Sequence, residues 1–390
     1  DGVDQAALPL LAATLTRDPV LFSGVAVALR LPWLLFALQA GAIADRVDRK
    51  RLMAGANLVR FGLMGVIGLA VLGGWASIWL LYAVGFALGI AETLFDNAAQ
   101  AIMPALVHRE RLETANGRLQ AAEITANQFA GPPLGGALFA ALAAAPFLLD
   151  AGTFLVSALL IATIAGSFRP ARAGPTPQAR RRLRHDIAEG LRWLWNHRLL
   201  RTLALMLGLV NGTAVVWGAI FPLFALEVLG LSEVGYGVLL TATAAGSVLA
   251  SLVAGRIVPM IGRGPALIAS VMIFGGATIA MGLSSNPLVV GALEAALGFA
   301  VVTWNIITVS LRQSIIPQEI LGRVNSVYRF VGWGSIPVGA LLGGVLADAF
   351  GLRAPFIIAG AAQLVALVAI LPVVNSRNIE AARTAPPAAD

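Results

Sequence analysis

Whatever chemistry this chain performs falls to a few ionisable residues set inside long apolar runs. A charge there is costly and persists only with a partner or a purpose. Asp1, Asp4, Arg30, Arg60, Glu92, Asp96, Glu123 and Glu294 are such residues. The chemistry open to them is ion pairing and the uptake and release of a proton. Asp4 lies about 16 Å from the far end of the first apolar run, at 1.5 Å rise per residue, and Asp1 lies one turn deeper. Arg30 and Arg60 fall at comparable depth in the next two runs, so Asp4 or Asp1 is expected to pair with Arg30. Such a pair is either a static contact or a site that takes a proton as it breaks. Glu92 and Asp96 stand four apart, on one helix face. Their mutual repulsion favours holding a proton, and Asp96 is alternatively a cytoplasmic gate. Glu123 and Glu294 are expected to face a cavity. Asp150, near the end of the sixth run, reads as structural. Asn127, Asn211, Trp217, Trp304, Asn305, Tyr328, Arg329 and Trp333 are candidates to line a substrate path, with plain packing as the alternative.

The chain that carries these residues has 390 of them, 58% hydrophobic and 12% charged. Its mean hydropathy is +0.84. A soluble domain carries about twice that charge fraction. There is no Cys, which excludes disulfides, thiolate metal sites and Cys nucleophiles. The three His residues, His108, His185 and His197, all fall near expected loops, so no metal centre is expected. The net charge of +7 sits in short loops rather than on one groove-facing surface, so no nucleic-acid partner is expected. No phosphate-binding loop and no nucleophile–base constellation is present, so the chain reads as neither an enzyme nor an ATPase, and no cofactor is implied. No cleavable signal peptide is visible. The abrupt opening at Asp1 suggests a start part-way through the first helix.

Membrane-length runs are expected near 1–15, 20–43, 51–73, 76–105, 114–141, 146–167, 199–227, 233–255, 265–284, 287–311, 321–347 and 353–374. Arg and Lys collect in alternate loops: around Arg46, Arg49, Lys50 and Arg51; at Arg109 and Arg111; through 169–201; at Arg256 and Arg263; at Arg323; and at Arg377 and Arg383. The other loops hold little beyond Arg17 and Arg353. By the positive-inside rule the first set is cytoplasmic, as are both ends of the chain. The reading is an all-α polytopic membrane protein of twelve transmembrane helices in two pseudo-symmetric six-helix bundles. They are an N-terminal bundle over 1–167, a cytoplasmic linker over 168–198, a C-terminal bundle over 199–374 and a tail over 375–390. The linker's Leu183, Ile187, Leu191 and Leu194, beside Arg180, Arg181, Arg182 and Arg184, suit an interfacial helix with its apolar face in lipid.

The halves repeat. Ala145, Pro146, Phe147, Leu148 and Leu149 match Ala354, Pro355, Phe356, Ile357 and Ile358, and Asn116 matches Asn325 at the same offset. Gly41, Ile43 and Arg49 recur at the spacing of Gly255, Ile257 and Arg263. Two parallel six-span repeats are one arrangement of secondary transporters, with substrate bound between them near the midplane.

These residues resemble the major facilitator superfamily. Gly41, Asp45, Arg46, Arg49, Lys50 and Arg51 fit its loop 2–3 motif, which the resemblance makes a conformational latch on the cytoplasmic side. The second copy has Pro259 where the Asp would stand, which implies a weaker latch. Gly131, Pro132, Pro133, Leu134, Gly135 and Gly136 are similar to the core of the motif that marks exporters in the superfamily, with Asn127 in place of its first Gly. Glu189 to Arg198 and Pro146 to Asp150 resemble the bacterial macrolide, multidrug and enterobactin-type exporter branch. One departure stands out: the fourth span has Gly85 roughly where many proton-driven antiporters carry an Arg. The resemblance implies a monomer in the bacterial cytoplasmic membrane that exports amphipathic small molecules such as drugs by proton antiport and alternating access. A siderophore or secreted-metabolite exporter and a lipid transporter of the same fold are the alternatives.

Overall fold

The computed structural model describes residues 1–44, 46–107, 111–168, 188–317 and 320–384. Every regular element among them is helical. The first half holds α1 (Asp4–Leu15), α2 (Pro19–Ala44), α3 (Arg49–Leu72), α4 (Ile78–Leu106), α5 (Leu112–Glu123), α6 (Gly131–Ala141) and α7 (Ala145–Thr163). After α8 (188–196) come α9 (Arg198–Gly218), the single turn α10 (Phe221–Leu223), α11 (Glu233–Ile261), α12 (Arg263–Leu283), α13 (Pro287–Ile315), α14 (Leu321–Trp333), α15 (Ile336–Phe350), α16 (Ala354–Ile370) and α17 (Ser376–Thr384).

Eight of these helices are long and apolar enough to cross a bilayer. The other expected spans are short or broken. The fifth is α5 and α6 joined through a π-helical stretch, Ile124–Ala130, and α6 opens with Pro132 near its first position. The eleventh is α14 and α15, separated at Gly334 and Ser335. Proline is tolerated in the first turn of a helix because the N–H it lacks has no intrahelical partner there. Side-chain caps set other starts: Ser77 accepts from Leu80 N–H at α4, and Asn286 from Leu288 N–H at α13. Gly262 has φ 86°, a conformation open to glycine, and reverses the chain between α11 and α12.

The chain divides into two compact units, Asp1–Gly174 with Pro222–Thr241, and Pro175–Phe221 with Ala242–Asp390. The segment 222–241 therefore groups with the first bundle, where the sequence reading kept all of 199–374 together. In the first unit α3 packs on α4 and α7, α2 on α4, and α1 on α6 and α7. In the second, α9 packs on α14, α15 and α16, and α12 on α13 and α16. The repeat is visible in the packing. Pro146 and Pro355 occupy the first turns of α7 and α16, and Phe147 and Phe356 are each fully buried.

The interfacial-helix expectation meets two described apolar residues, of which Leu191 is exposed and Leu194 is not. Leu183, Ile187 and Arg180 to Arg184 lie outside the described residues. In α8, Leu194 is buried in protein rather than facing lipid, and Glu189 bonds Arg323 of α14 at 2.7 Å. At Gly190 a Cβ would stand 2.8 Å from the Arg323 carbonyl oxygen, so α8 docks on α14 backbone to backbone.

Helix contacts in a bilayer rest on close packing rather than on a hydrophobic drive, so small residues decide where backbones meet. At Gly135 a Cβ would fall 2.3 Å from the Val3 carbonyl oxygen, whereas at Gly55 it would meet nothing within 4 Å. Gly135→Leu is expected to separate α1 from α6 and cost about 1–3 kcal/mol. Thermal melts in detergent check this: G135L melts well below the parent while G55L melts with it, and equal melting of the two variants contradicts the packing argument.

Candidate functional site

The turn between α2 and α3 is built on Asp48. Its Oδ1 accepts from Arg51 N–H at 3.2 Å and caps α3, while its Oδ2 accepts from the Ser167 hydroxyl at 2.8 Å and Phe168 N–H at 3.1 Å. Arg49 donates to the Ala101 carbonyl at 2.8 Å and Lys50 to the Ile164 carbonyl at 2.9 Å. Two cations thus hold α3 against carbonyls of the last turns of α4 and α7, the negative ends of those helices. Arg46 and Arg51 are exposed, Gly41 lies beside Asn97, and Asp45 lies outside the described residues. Asp48 was not among the expected latch residues. The signal for it was local: an Asp directly before a helical run is a preferred N-cap. At the second copy, around Pro259, a cavity of about 590 Å³ replaces such a network, and Arg263 reaches Glu380 of α17 at 3.9 Å.

Deeper in the first unit the charged groups converge on Arg60 of α3, whose residue is only 4% exposed. Its guanidinium lies 5.3 Å from the Phe95 ring centroid and 5.1 Å from that of Phe154, a cation–π sandwich between α4 and α7. Asp1 approaches it at 3.9 Å, and Glu92, Asp96, Asp150 and Asp4 interact with it at longer range. Asp4 and Asp150 are 8% and 3% exposed and meet carboxyl to carboxyl. Asp150 also accepts from Asp1 backbone nitrogen at 3.0 Å and from Thr153 at 3.1 Å, whereas Asp4 Oδ1 has no hydrogen-bond partner. Two buried carboxyls side by side repel one another when both are charged, which favours a proton on one of them. The expected pairing with Arg30 is corrected. Arg30 is exposed on α2 and forms no described ion pair, because α1 packs chiefly on α6 and α7 and turns its acids toward α3 and α7.

Asp150, read from the sequence as structural, is buried at the Arg60 cluster. Its repeat counterpart is Ala359, 2% exposed, so the repeat alone marks position 150 as an acid in a buried slot. Glu92 and Asp96 are partly buried on α4, and Glu123 is exposed at the end of α5. Gly85, where an antiporter Arg was looked for, packs α4 on Leu29 of α2; the buried Arg of this unit is Arg60.

The exporter-type motif is a packing core. Gly131 meets Gly2, Gly135 meets Val3, Gly136 meets the Glu233 carbonyl, and the Pro132 carbonyl meets Gly237. Asn127 lies in the π-helical stretch beside Gly2.

In the second unit two expected lining residues, Trp304 and Tyr328, are buried, and Asn211 and Trp217 are half-buried. Trp304 is buried against Phe274, and Tyr328 is buried beneath the Arg312 guanidinium at 4.1 Å. Asn211 donates to the Gly332 carbonyl at 2.7 Å, and Trp217 stacks on Phe356 at 5.5 Å. Asn305 and Arg329 are exposed, and the Trp333 side chain lies outside the described set. Glu294 is 5% exposed and faces α11 through Thr243, not an open cavity.

The helical bundles, the interrupted spans and the buried ionisable cluster define a polytopic membrane transporter rather than an enzyme. A family model described as transmembrane secretion effector matches residues 3–389, and the chain belongs to that family of major facilitator transporters. It is 28% identical over 372 residues to the multidrug efflux pump Tap of Mycolicibacterium fortuitum, covering 92% of this chain and 88% of that protein. It is 23% identical over 349 residues to macrolide efflux protein A of Streptococcus pyogenes, covering 88% and 85%. Among solved structures it is similar to an inward-facing bacterial homologue of the human lysosomal transporter Spinster, with a TM-score of 0.75, 14% identity and coverage of 99% and 95%. A bacterial homologue of the iron transporter ferroportin gives a TM-score of 0.68 at 17% identity, covering 95% of each chain.

Asp48 lies outside the spans. Burial pushes its carboxyl up, but hydrogen bonds from the Ser167 hydroxyl and the N–H groups of Arg51, Phe168 and Lys50 outweigh that and hold it below the usual carboxylate range. A depressed carboxylate contributes stability that is present above its unfolded value of about 3.9 and lost as pH falls through the folded one. Asp48→Ala is expected to cost about 0.5–2 kcal/mol at pH 7, as for a lost N-cap. Melting of parent and variant across pH checks it: the gap narrows as pH falls below about 4, and a constant gap contradicts the assignment.

Proposed function

We propose that this protein exports amphipathic small molecules, drugs among them, in exchange for protons, by alternating access between its two bundles. The observation that carries this reading is the buried group of Asp4, Asp150 and Arg60. An acid pair that favours holding one proton, next to a cation that competes for its charge, is the equipment of a site that loads and unloads protons. The names of the relatives, a multidrug pump and a macrolide exporter, support drugs as the substrate class. The alternating loop charges support the cytoplasmic membrane of a bacterium, with both ends of the chain in the cytoplasm.

In the proposed cycle the acid pair holds its proton while apart from water. Hydration on the cytoplasmic side, or the arrival of substrate, lets Arg60 draw the charged carboxylate to itself and the proton leaves. The Asp48 turn acts as the latch that one conformation keeps closed and the other releases. Asp1, Glu92 and Asp96 tune the field at Arg60, and Glu123 lies at the margin of the site.

Proteoliposomes with an imposed pH gradient test the reading, using a cationic dye and a macrolide as substrates. Asp4→Asn and Asp150→Asn are expected to lower gradient-driven accumulation at least about tenfold, a change of about 1.4 kcal/mol. Both variants are expected to keep gradient-free substrate exchange, which shows that they remain folded. Equal gradient-driven transport by parent and variants contradicts the proposal.

A further inference from the structure

Glu294 is a buried acid that the proposed site does not use. It lies on α13, 5% exposed, with Oε2 bonded to the Thr243 hydroxyl of α11 and Oε1 without any partner. The helices around it are as close as backbones can be. At Gly246 a Cβ would stand 1.8 Å from the Ala295 carbonyl oxygen, and at Gly298 it would stand 2.0 Å from the Thr243 carbonyl oxygen. Both contacts lie within four residues of Glu294, on its C-terminal side along the seam between α11 and α13, and only glycine allows them.

The polar lining of that seam is one-sided. Ala295 and Thr243 bring carbonyl oxygens, which only accept. The Ser247 hydroxyl is engaged with the Thr243 carbonyl at 2.9 Å and the Gly298 carbonyl at 3.3 Å. Thr243 Oγ1 is the one described partner of the acid. The charged groups on helices packed with α13 lie elsewhere. Arg312 is eighteen residues along α13, about 27 Å away. Glu233 opens α11, ten residues before Thr243, and Arg256 on α11 and Arg263 on α12 sit near the turn that joins those helices. Arg323 and Arg329 are on α14, and Arg377 and Glu380 are on α17. None of them forms a described hydrogen bond or ion pair with Glu294. A carboxylate in this seam would have one hydrogen bond and no counter-charge, which is the expensive way to bury an acid. The neutral acid fits the closed seam; the carboxylate fits a seam that water has entered.

We propose that Glu294 is a protonation-operated seal between α11 and α13: the two helices close over the neutral acid, and its ionisation admits water and parts them. The second unit then carries its own proton-linked element, separate from the Asp4–Asp150 pair. It rests on the proton-coupled reading only for what drives it during transport.

The chain has no cysteine, so Ser247→Cys places a single thiol in the seam. The experiment compares alkylation of S247C and S247C/E294Q by a small thiol reagent in proteoliposomes, from pH 6 to pH 9, without substrate or gradient. Because both proteins carry the same thiol, the ratio of their rates cancels the thiol's own titration. The ratio is expected near one at pH 6, rising at least about fivefold by pH 9, the scale on which ionisation of one buried group shifts an opening equilibrium. Thr243→Val, which keeps Glu294 and removes the one hydroxyl that donates to its carboxylate, disfavours ionisation and moves the rise to higher pH. A ratio flat across the range, or a thiol that never reacts in either protein, overturns the seal. Neither outcome depends on transport. Failure here leaves the Asp4–Asp150 site standing, and failure of gradient-driven export leaves this result intact.

Discussion

A guanidinium in the interior of a membrane bundle dictates how the first unit is assembled. Arg60 cannot be left to lipid, and its surroundings are arranged around that fact. Phe95 from α4 and Phe154 from α7 present their faces to it, while Asp1, Asp4 and Asp150 bring negative charge from α1 and α7. Glu92 and Asp96 add more from α4. Three helices, α1, α4 and α7, are thus tied to α3 around one cation. The acids outnumber the cation, and two of them, Asp4 and Asp150, are buried side by side. That surplus of acids over cations is the feature on which the proposed proton exchange rests.

The second constraint is closeness. Lipid is as apolar as leucine, so helices gain little by hiding leucine from it. Glycine supplies the contacts instead, at Gly131, Gly135 and Gly136 in the first unit and at Gly246 and Gly298 in the second. The same residues decide what can hydrate. A seam closed at backbone distance excludes water, and any ionisable group behind it changes charge only when the helices move. Packing and proton chemistry are therefore one problem in this fold, and the exporter-type motif belongs to the packing half of it.

Much of this was legible in the sequence, and for identifiable reasons. Charged loops between apolar runs mark the turns, so helix order followed from charge spacing, and the repeat was written plainly in Ala145–Leu149 and Ala354–Ile358. Depth along a helix is also readable, which singled out Asp4 and Arg60. Azimuth is not. Arg30 sits at the right depth but is exposed rather than paired with the acids, and Tyr328 and Trp304 are buried where a path was expected. Hydropathy cannot tell a buried face from a lipid face, since both are apolar, so partner choice had to wait for packing. Asp150 shows the limit from the other side: its place near a helix end is legible, but its burial beside Asp4 is not.

The most direct test of the account is the number of protons released when the purified protein binds a transported drug. It is read from the dependence of binding heat on the ionisation enthalpy of the buffer. Linkage between drug and proton at the Asp4–Asp150 pair predicts release of about one proton per drug in the parent and none in Asp4→Asn. Release that is absent from the parent, or that survives unchanged in the variant, would contradict it.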